Sequence, residues 1–432
     1  MYEVRSQQLI TAIGGSGRTF RALMDFGDFS VGSESIKTIK TIGGSCGGED
    51  VTIGGAYSQG ITAELSQTPC DLEGRAFQLY ICLIDLSDDT QENGEESELI
   101  PMGRFFAASC KKKDGGYILE ASDHLALADT EYRSKLPYPA STKAIEEEIC
   151  TQLGISSVAV SSGRYITSDN KAYKTSDGMY YQLYDYVAFI NKKPSGITMR
   201  QMISYIASLQ GRFAVLDRTG RLTYRWYGSD GAVKLDPDTT DTPQVSETDV
   251  AITQIQCTVS ENSVITGGKP GRTMYIENPY MTKELLDRLC AEILPFIYRP
   301  VSLYQRIGDP RIDVWDTAEF YLPDSGESFS APVMELSFEF DGGLSASIEA
   351  AGQSDTETEM GAGGSSSSGG GSAGAEKALY IDVRDAFPEP GIAGRLYIAS
   401  DENAVYYWDV QQKTYKCAGR DYTEAAEIQC IL

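Results

Sequence analysis

The chain has 432 residues, with 62 Asp plus Glu against 37 Lys plus Arg, a formal net charge of −25. Hydrophobic residues make up 41% of it and it carries 26 tyrosines, enough apolar surface to exclude a wholly disordered acidic polymer. The length suggests two to four domains. The acidic balance excludes stable nucleic-acid binding as a main activity, because grip on phosphates needs clustered Lys and Arg.

The first eight residues, Met1 to Gln8, hold no apolar core of signal-peptide length, and no stretch is long and apolar enough to span a membrane. The nine cysteines, at 46, 70, 82, 110, 150, 257, 290, 417 and 430, are odd in number and nowhere at a zinc-ligand spacing. They are expected to be free thiols of a chain made in a reducing cytoplasm.

In chain order, strands are expected near 19–26, 34–42, 60–66, 75–85, 99–109 and 117–120. A helix then follows Ser141, with Ile145, Ile149 and Leu153 spaced i, i+4, i+8 and Gly154 closing it. A second helix opens at Thr198 and Gln201, a capping box, with Met202, Ile203, Ile206 and Leu209 on its apolar face and Gly211 at its end. A hairpin succeeds it: Phe213 to Leu216, a turn at Asp217-Arg218-Thr219-Gly220, and a return strand with Leu222, Tyr224 and Trp226 on one face. After a strand at 251–259 comes a third helix beyond Thr282, with Leu285, Leu286, Leu289 and Ile293 on one side and Pro295 near its end. Alternation in 335–340 and 344–350 around Asp341-Gly342-Gly343 gives a final hairpin. Residues 361–375, GAGGSSSSGGGSAGA, have no side chains with which to build a core, and fifteen such residues tether over roughly 20 Å. They separate a main body from a small β module in which 395–399, 404–409 and 414–417 read as strands.

Little here points to chemistry. The single histidine, His124, next to Asp123 and Ser122, reads as a loop or helix-start residue, and a lone histidine nearly excludes histidine-based metal sites and His/Cys pairs. The acidic run Asp85–Glu98 fails as a calcium loop: with Asp89 first and Gly94 sixth, Gln91 falls at position 3 and Ile100 at 12. It reads as a solvated hairpin loop, and Asp236–Asp241 reads likewise. The glycine-rich pieces 13–18 and 267–272 lack the Gly-Lys-Ser/Thr ending of a phosphate loop and read as turns. Catalytic, cofactor-binding and metal-ligating residues are therefore assigned to none. The residue set points to no cofactor.

The order of the motifs says more than any one of them. Ile100-Pro101-Met102-Gly103-Arg104-Phe105 is followed by Leu119-Glu120-Ala121-Ser122-Asp123, then by Leu136-Pro137-Tyr138-Pro139-Ala140-Ser141. Met199–Leu209 runs into Gly211–Val215 and Thr219–Tyr227; Glu277–Thr282 and Gly308-Asp309-Pro310-Arg311-Ile312-Asp313 come later. This succession resembles the tail-tip (baseplate) hub proteins of bacteriophages, prophages and phage-tail-like particles. Trp315 stands where that family often has a glycine, which puts the local turn in question.

The resemblance implies a mainly β fold of two small antiparallel β-barrels, each with an α/β insertion. The first barrel would be 1–135 and 212–228, with 136–211 inserted. The second would be 245–267 and 302–352, with 268–301 inserted. A Gly/Ser linker, 353–377, would lead to the β module, 378–432, which looks like small C-terminal modules of tail and fibre proteins. In that module Tyr406 and Trp408 are expected to form its core, with contact to a sugar or a neighbouring protein as the other reading. The resemblance further implies a structural, non-enzymatic homotrimer at the distal tail tip of a virion or phage-like particle, assembled in the host bacterial cytoplasm. Its partners would be the distal tail ring protein and tail tube, the tape-measure protein, and tip or fibre proteins. The ring would surround a DNA exit channel, and an acidic wall would keep passing DNA from sticking. The alternatives are a receptor-binding adhesin headed by 378–432 and a hydrolase of bacterial polysaccharide.

Overall fold

A computed structural model describes residues 18–42, 51–85, 99–157, 189–228, 232–350, 378–381, 396–399, 404–409 and 413–419. The glycine-rich 13–17, the acidic loop 86–98 and the tether 353–377 lie outside the described residues. The chain divides into two units, Met1–Ser366 and Ser367–Leu432.

The first unit opens with seven strands, β1 (Arg18–Asp25), β2 (Ser30–Gly32), β3 (Ile36–Ile42), β4 (Gly60–Leu65), β5 (Ala76–Asp85), β6 (Leu99–Lys113) and β7 (Gly116–Ser122). Their alternation has a direct reading: in β4 Ile61, Ala63 and Leu65 are buried while Gly60, Thr62 and Glu64 between them are not. Next come β8 (Ala140–Ser141), α1 (Thr142–Leu153), β9 (Ser156–Ser157), β10 (Phe189–Ile190), α2 (Met199–Leu209), β11 (Phe213–Leu216) and β12 (Arg221–Arg225). The rest is β13 (Ala232–Lys234), β14 (Gln244–Val245), β15 (Val250–Ser260), β16 (Ser263–Gly268), β17 (Arg272–Glu277), α3 (Lys283–Ile293), β18 (Phe296–Tyr298), β19 (Val301–Gln305), β20 (Thr317–Leu322), β21 (Glu327–Pro332), β22 (Glu335–Phe340) and β23 (Leu344–Ala350).

The fold is mainly β. Eleven strands share one sheet in the order β14-β19-β23-β22-β3-β4-β7-β6-β5-β1-β2. The join between its two halves is β22 against β3, with Phe340 opposite Ile39 and Glu339 opposite Lys40. Both inward residues of that join, Ile39 and Phe340, are buried. Among the described residues no sheet closes into a barrel, and strands expected in two separate barrels share this open sheet. The hairpin β11-β12 pairs with β9. Strands β15 and β16 form a sheet with β17 and β18, and β20 pairs with β13 on one side and β21 on the other.

The three α-helices among the described residues start and stop where their side chains satisfy the backbone. Ser141 caps α1 by accepting from the Ala144 amide at 3.1 Å, and Gly154, at φ 69°, donates back into the last turn. The Thr198–Gln201 capping box opens α2, with bonds of 2.9 and 3.1 Å. Thr282 caps α3, whose exposed side carries the i, i+4 pairs Lys283–Asp287 and Glu284–Arg288. Leu285, Leu286, Leu289 and Cys290 turn inward. Gly267 on β16 allows this packing: a Cβ there would lie 2.7 Å from the Cys290 sulfur.

In the second unit β24 (Ala378–Ile381), β25 (Leu396–Ala399), β26 (Ala404–Asp409) and β27 (Thr414–Gly419) form one sheet in that order, β24 and β25 parallel. Tyr406 is buried, as expected of a core residue of this module. The Trp408 side chain lies outside the described residues.

Candidate functional site

His124 begins a short 3-10 helix, His124–Asp129, capped by Asp123. The Asp123 carboxylate accepts from the Gln59 amide at 2.8 Å and the Leu125 amide at 3.0 Å, so it serves the backbone rather than the imidazole. Burial pushes its pKa up to about 7. The His124 ring stands edge-on to Phe106 at 5.3 Å, and burial with the nearby Arg104 charge lowers its pKa. The adjacent acid and imidazole thus form no relay.

Asp236 caps the turn Pro237–Thr239, and Asp241 pairs with Arg306 at 3.2 Å, so this acidic run closes a turn. The 267–272 piece ends β16 and turns into β17. Among the described residues no three His, Cys, Asp or Glu side chains gather as a metal site. Cys150, Cys257 and Cys290 are buried free thiols, and burial pushes Cys150 up to about 12.

Among the described residues the most connected polar group is Arg218, in the tight turn between β11 and β12. The turn is built locally: Asp217 accepts from the Thr219 and Arg221 amides, and Gly220 takes φ 81° where the chain passes Arg104. This aims the Arg218 guanidinium inward. Its Nε donates to Asp313 at 2.7 Å; Nη1 donates to the Pro101 and Pro310 carbonyls at 3.0 and 2.7 Å, and Nη2 to the Ile312 carbonyl at 2.8 Å. Gln78 on β5 reaches over, donating to the carbonyls of Gly103 and Arg218 at 2.8 and 2.9 Å. One side chain, in the turn just before the 219–227 motif, so fastens two motifs that lie far apart in sequence: 100–105 and 308–313.

The 308–316 loop is itself braced for this. Asp313 and Asp316 close a turn, with the Asp313 amide donating to the Asp316 carboxylate at 2.8 Å and the Asp316 amide to the Asp313 carbonyl at 3.0 Å. Trp315 is buried within it, the Arg225 guanidinium 5.4 Å from its ring centroid. The turn therefore holds without a glycine.

Other buried polar groups do the same work. Arg200 on α2 donates to Asp129 and to the Ala56 and Leu125 carbonyls. Asn278, fully buried after β17, donates to the Tyr205 carbonyl at 2.9 Å and the Ser208 hydroxyl at 2.6 Å on α2. Glu148 on α1 accepts from Tyr132, Ser134 and the Lys135 amide. Glu146 accepts from Ser157 on β9, and burial raises its pKa. Sequence reading did not single out Arg218, Arg200 or Asn278 as chemically important. The available signal was the position of Asn278 inside an ordered motif and of Arg200 in the capped α2 segment; Arg218 falls between the motifs 211–215 and 219–227.

Beside Arg218 a cavity of about 50 Å³ is lined by Gln59, Met102, Phe105, Trp315, Leu336 and Phe338. Sites for drug-sized ligands start near roughly 300 Å³. The chemistry of this region is cohesion: a planar cation saturated by carbonyls and one carboxylate, joining the ends of separate strands.

No known family pattern matches the sequence, and no curated protein matches it. Solved structures to which the chain is similar include the tail protein from Neisseria meningitidis MC58, at TM-score 0.45 and 11% identity over 77% of this chain and 96% of that one. Another is the prophage MuSo2 43 kDa tail protein from Shewanella oneidensis, at TM-score 0.42 and 14% identity over 76% and 97%. A third is the prophage tail protein gp18 from Listeria monocytogenes EGD-e, at TM-score 0.40 and 9% identity over 77% and 94%. Likenesses of this degree carry no functional assignment.

Proposed function

We propose that this chain is a structural component of a phage or phage-like tail, a baseplate hub at the distal tip. The observation that supports this reading best is the ordered set of motifs together with what they do physically. The segments 100–105 and 308–313 meet at Arg218, in the turn just before 219–227, and 277–282 is tied through Asn278 to α2. The residues that carry the resemblance include fasteners between separate sheets and helices, among them Arg200, Asn278 and Asp313, which is where a load-carrying scaffold concentrates its polar groups. Among the described residues the buried polar side chains named above are spent on caps and ties.

In this reading three copies form a ring that joins the tail tube and distal tail ring to the host-facing tip. Two barrel-like halves, 1–135 with 212–228 and 245–267 with 302–352, carry the insertions 136–211 and 268–301. The 353–377 tether holds the 378–432 module. DNA and the tape-measure protein pass through the ring, and the excess of carboxylates limits phosphate adhesion. The chain performs no catalysis.

Deleting the gene from the producing bacterium tests the role. The expected result is particles arrested without a finished tip, restored by the full chain. Complete, infective or bactericidal particles without the chain would overturn it.

A further inference from the structure

The three most exposed large apolar side chains among the described residues are Tyr275, Ile297 and Val264, at 61, 57 and 53%. All three belong to one sheet, β15 with β16, β17 and β18. The register, with a bulge between Ile252 and Gln254 that leaves both Ile252 and Ile255 buried, puts them on one face. Val264 and Glu277 lie opposite Thr258; Thr266 and Tyr275 lie opposite Gln256; Ile297 lies opposite Ala251. The other face is sealed: Ile252, Ile255, Cys257 and Met274 are buried there, with Leu286 and Cys290 of α3 closing on Gly267. One face is thus covered by a helix and the other is open.

The open face is also almost without charge. Gln254, Gln256, Thr258, Thr266 and Thr273 surround the apolar three; Glu277 is the one net charge among its paired positions, and beside Ile297 the exposed Asp249–Arg299 ion pair, at 2.7 Å, cancels itself. Elsewhere the chain is strongly anionic, at −25 per copy. We propose that this face is a self-association surface, covered by a second copy of the chain.

Charge selects that occupant. Two copies repel over most of their surfaces and approach at lowest cost where a face is neutral. Amides and hydroxyls, which both donate and accept, pair with the polar rim of a neighbour, and the apolar three supply the contact. Six residues at about 3.3 Å along and three strands at about 4.8 Å across give a face of about 300 Å², with β18 adding to it at one end. That is less than half of the ~800 Å² per partner of a standard interface, so association through it is reversible and concentration-dependent. The inference deepens the ring reading above and rests on it.

The test is sedimentation velocity of the full chain over about a hundredfold range of concentration, with Tyr275→Glu/Ile297→Glu beside the wild type. Both positions are exposed, so the fold should tolerate them, and Tyr321→Glu on β20 controls for added charge. The expected result is an oligomer whose dissociation constant rises at least about tenfold in the double variant, or ~1.4 kcal/mol, and stays unchanged in the control. Hydrogen exchange of the wild type should show protection of Arg272–Glu277 growing with concentration. Wild-type and double variant associating alike would overturn the assignment. So would a wild type that is monomeric throughout, or protection already complete in the monomer, which would make the occupant a segment of the same chain. None of these outcomes bears on whether the chain sits in tail particles, which the gene deletion reads separately.

Discussion

Arg218 carries more of this structure than any other single polar side chain described. Its guanidinium and the Asp313 carboxylate are 11% and 14% exposed, so removing one leaves the other with little water to replace it. Arg218→Ala should cost about 3–5 kcal/mol of unfolding free energy. Arg218→Lys should recover only part, since an ammonium cannot reach Asp313 and three carbonyls from one plane. Urea unfolding of the three proteins checks this, and a loss below about 1 kcal/mol for Ala would contradict the account. Asp123 makes a pH statement. Its folded pKa is raised from 3.8 to about 7, so the stabilisation it gains as a neutral acid is complete below about pH 4 and is lost as pH rises through 7. Asp123→Asn should therefore flatten the fall in stability between pH 4 and 7, by at most about 4 kcal/mol. Parallel pH-dependent slopes for the two proteins would contradict it. Neither role was legible beforehand. Asp123 drew notice as the neighbour of His124 and the end of one ordered motif, and Arg218 only as a turn residue, because the Gln59 amide and the Pro101 carbonyl that they bind lie 64 and 117 positions away in sequence.

At the scale of elements the sequence was far more readable. All three helices begin at the capping residues that the pattern selects, Ser141, Thr198 and Thr282. The hairpin of β22 and β23 turns where Asp341-Gly342-Gly343 demands it. Caps and turns are local bargains between a side chain and backbone a few residues away, so a linear reading finds them. Thr198→Ala tests one such bargain: it deletes the bond to the Gln201 amide and should cost about 1 kcal/mol, measured by the shift in urea midpoint. No change would mean that packing alone sets the start of α2. The β12 strand shows where the method stops. Leu222, Thr223 and Tyr224 are all buried, so alternation vanishes, and Trp226 falls beyond the strand, packed against Tyr227 and Phe296. A strand covered on both faces has no polar side to announce its register.

For the whole molecule, strand alternation pointed to a mainly β chain, and the described residues are mainly β; the tether expected at 353–377 lies outside them. The pairing of strands was not legible. The join of β22 to β3 connects residues 339–340 with 39–40, and nothing in either segment marks the other as its partner. Such pairings are settled by which buried faces fit, a property of the assembled sheet rather than of any window of sequence. The same holds for the open face bearing Tyr275 and Ile297, whose apolar residues look like ordinary strand residues until the register aligns them. What the ordered motifs did convey was the set of contact points between distant strands, which is why they suggested a scaffold while no one motif suggested chemistry.

The central claim is that this scaffold sits at the end of a tail. Immunogold electron microscopy of particles from the producing bacterium, with antibody against residues 378–432, addresses it most directly, because that module follows the Gly/Ser run 361–375. The account predicts label confined to the distal tip. Particles that carry no label, and that lack the chain by mass spectrometry, would contradict it.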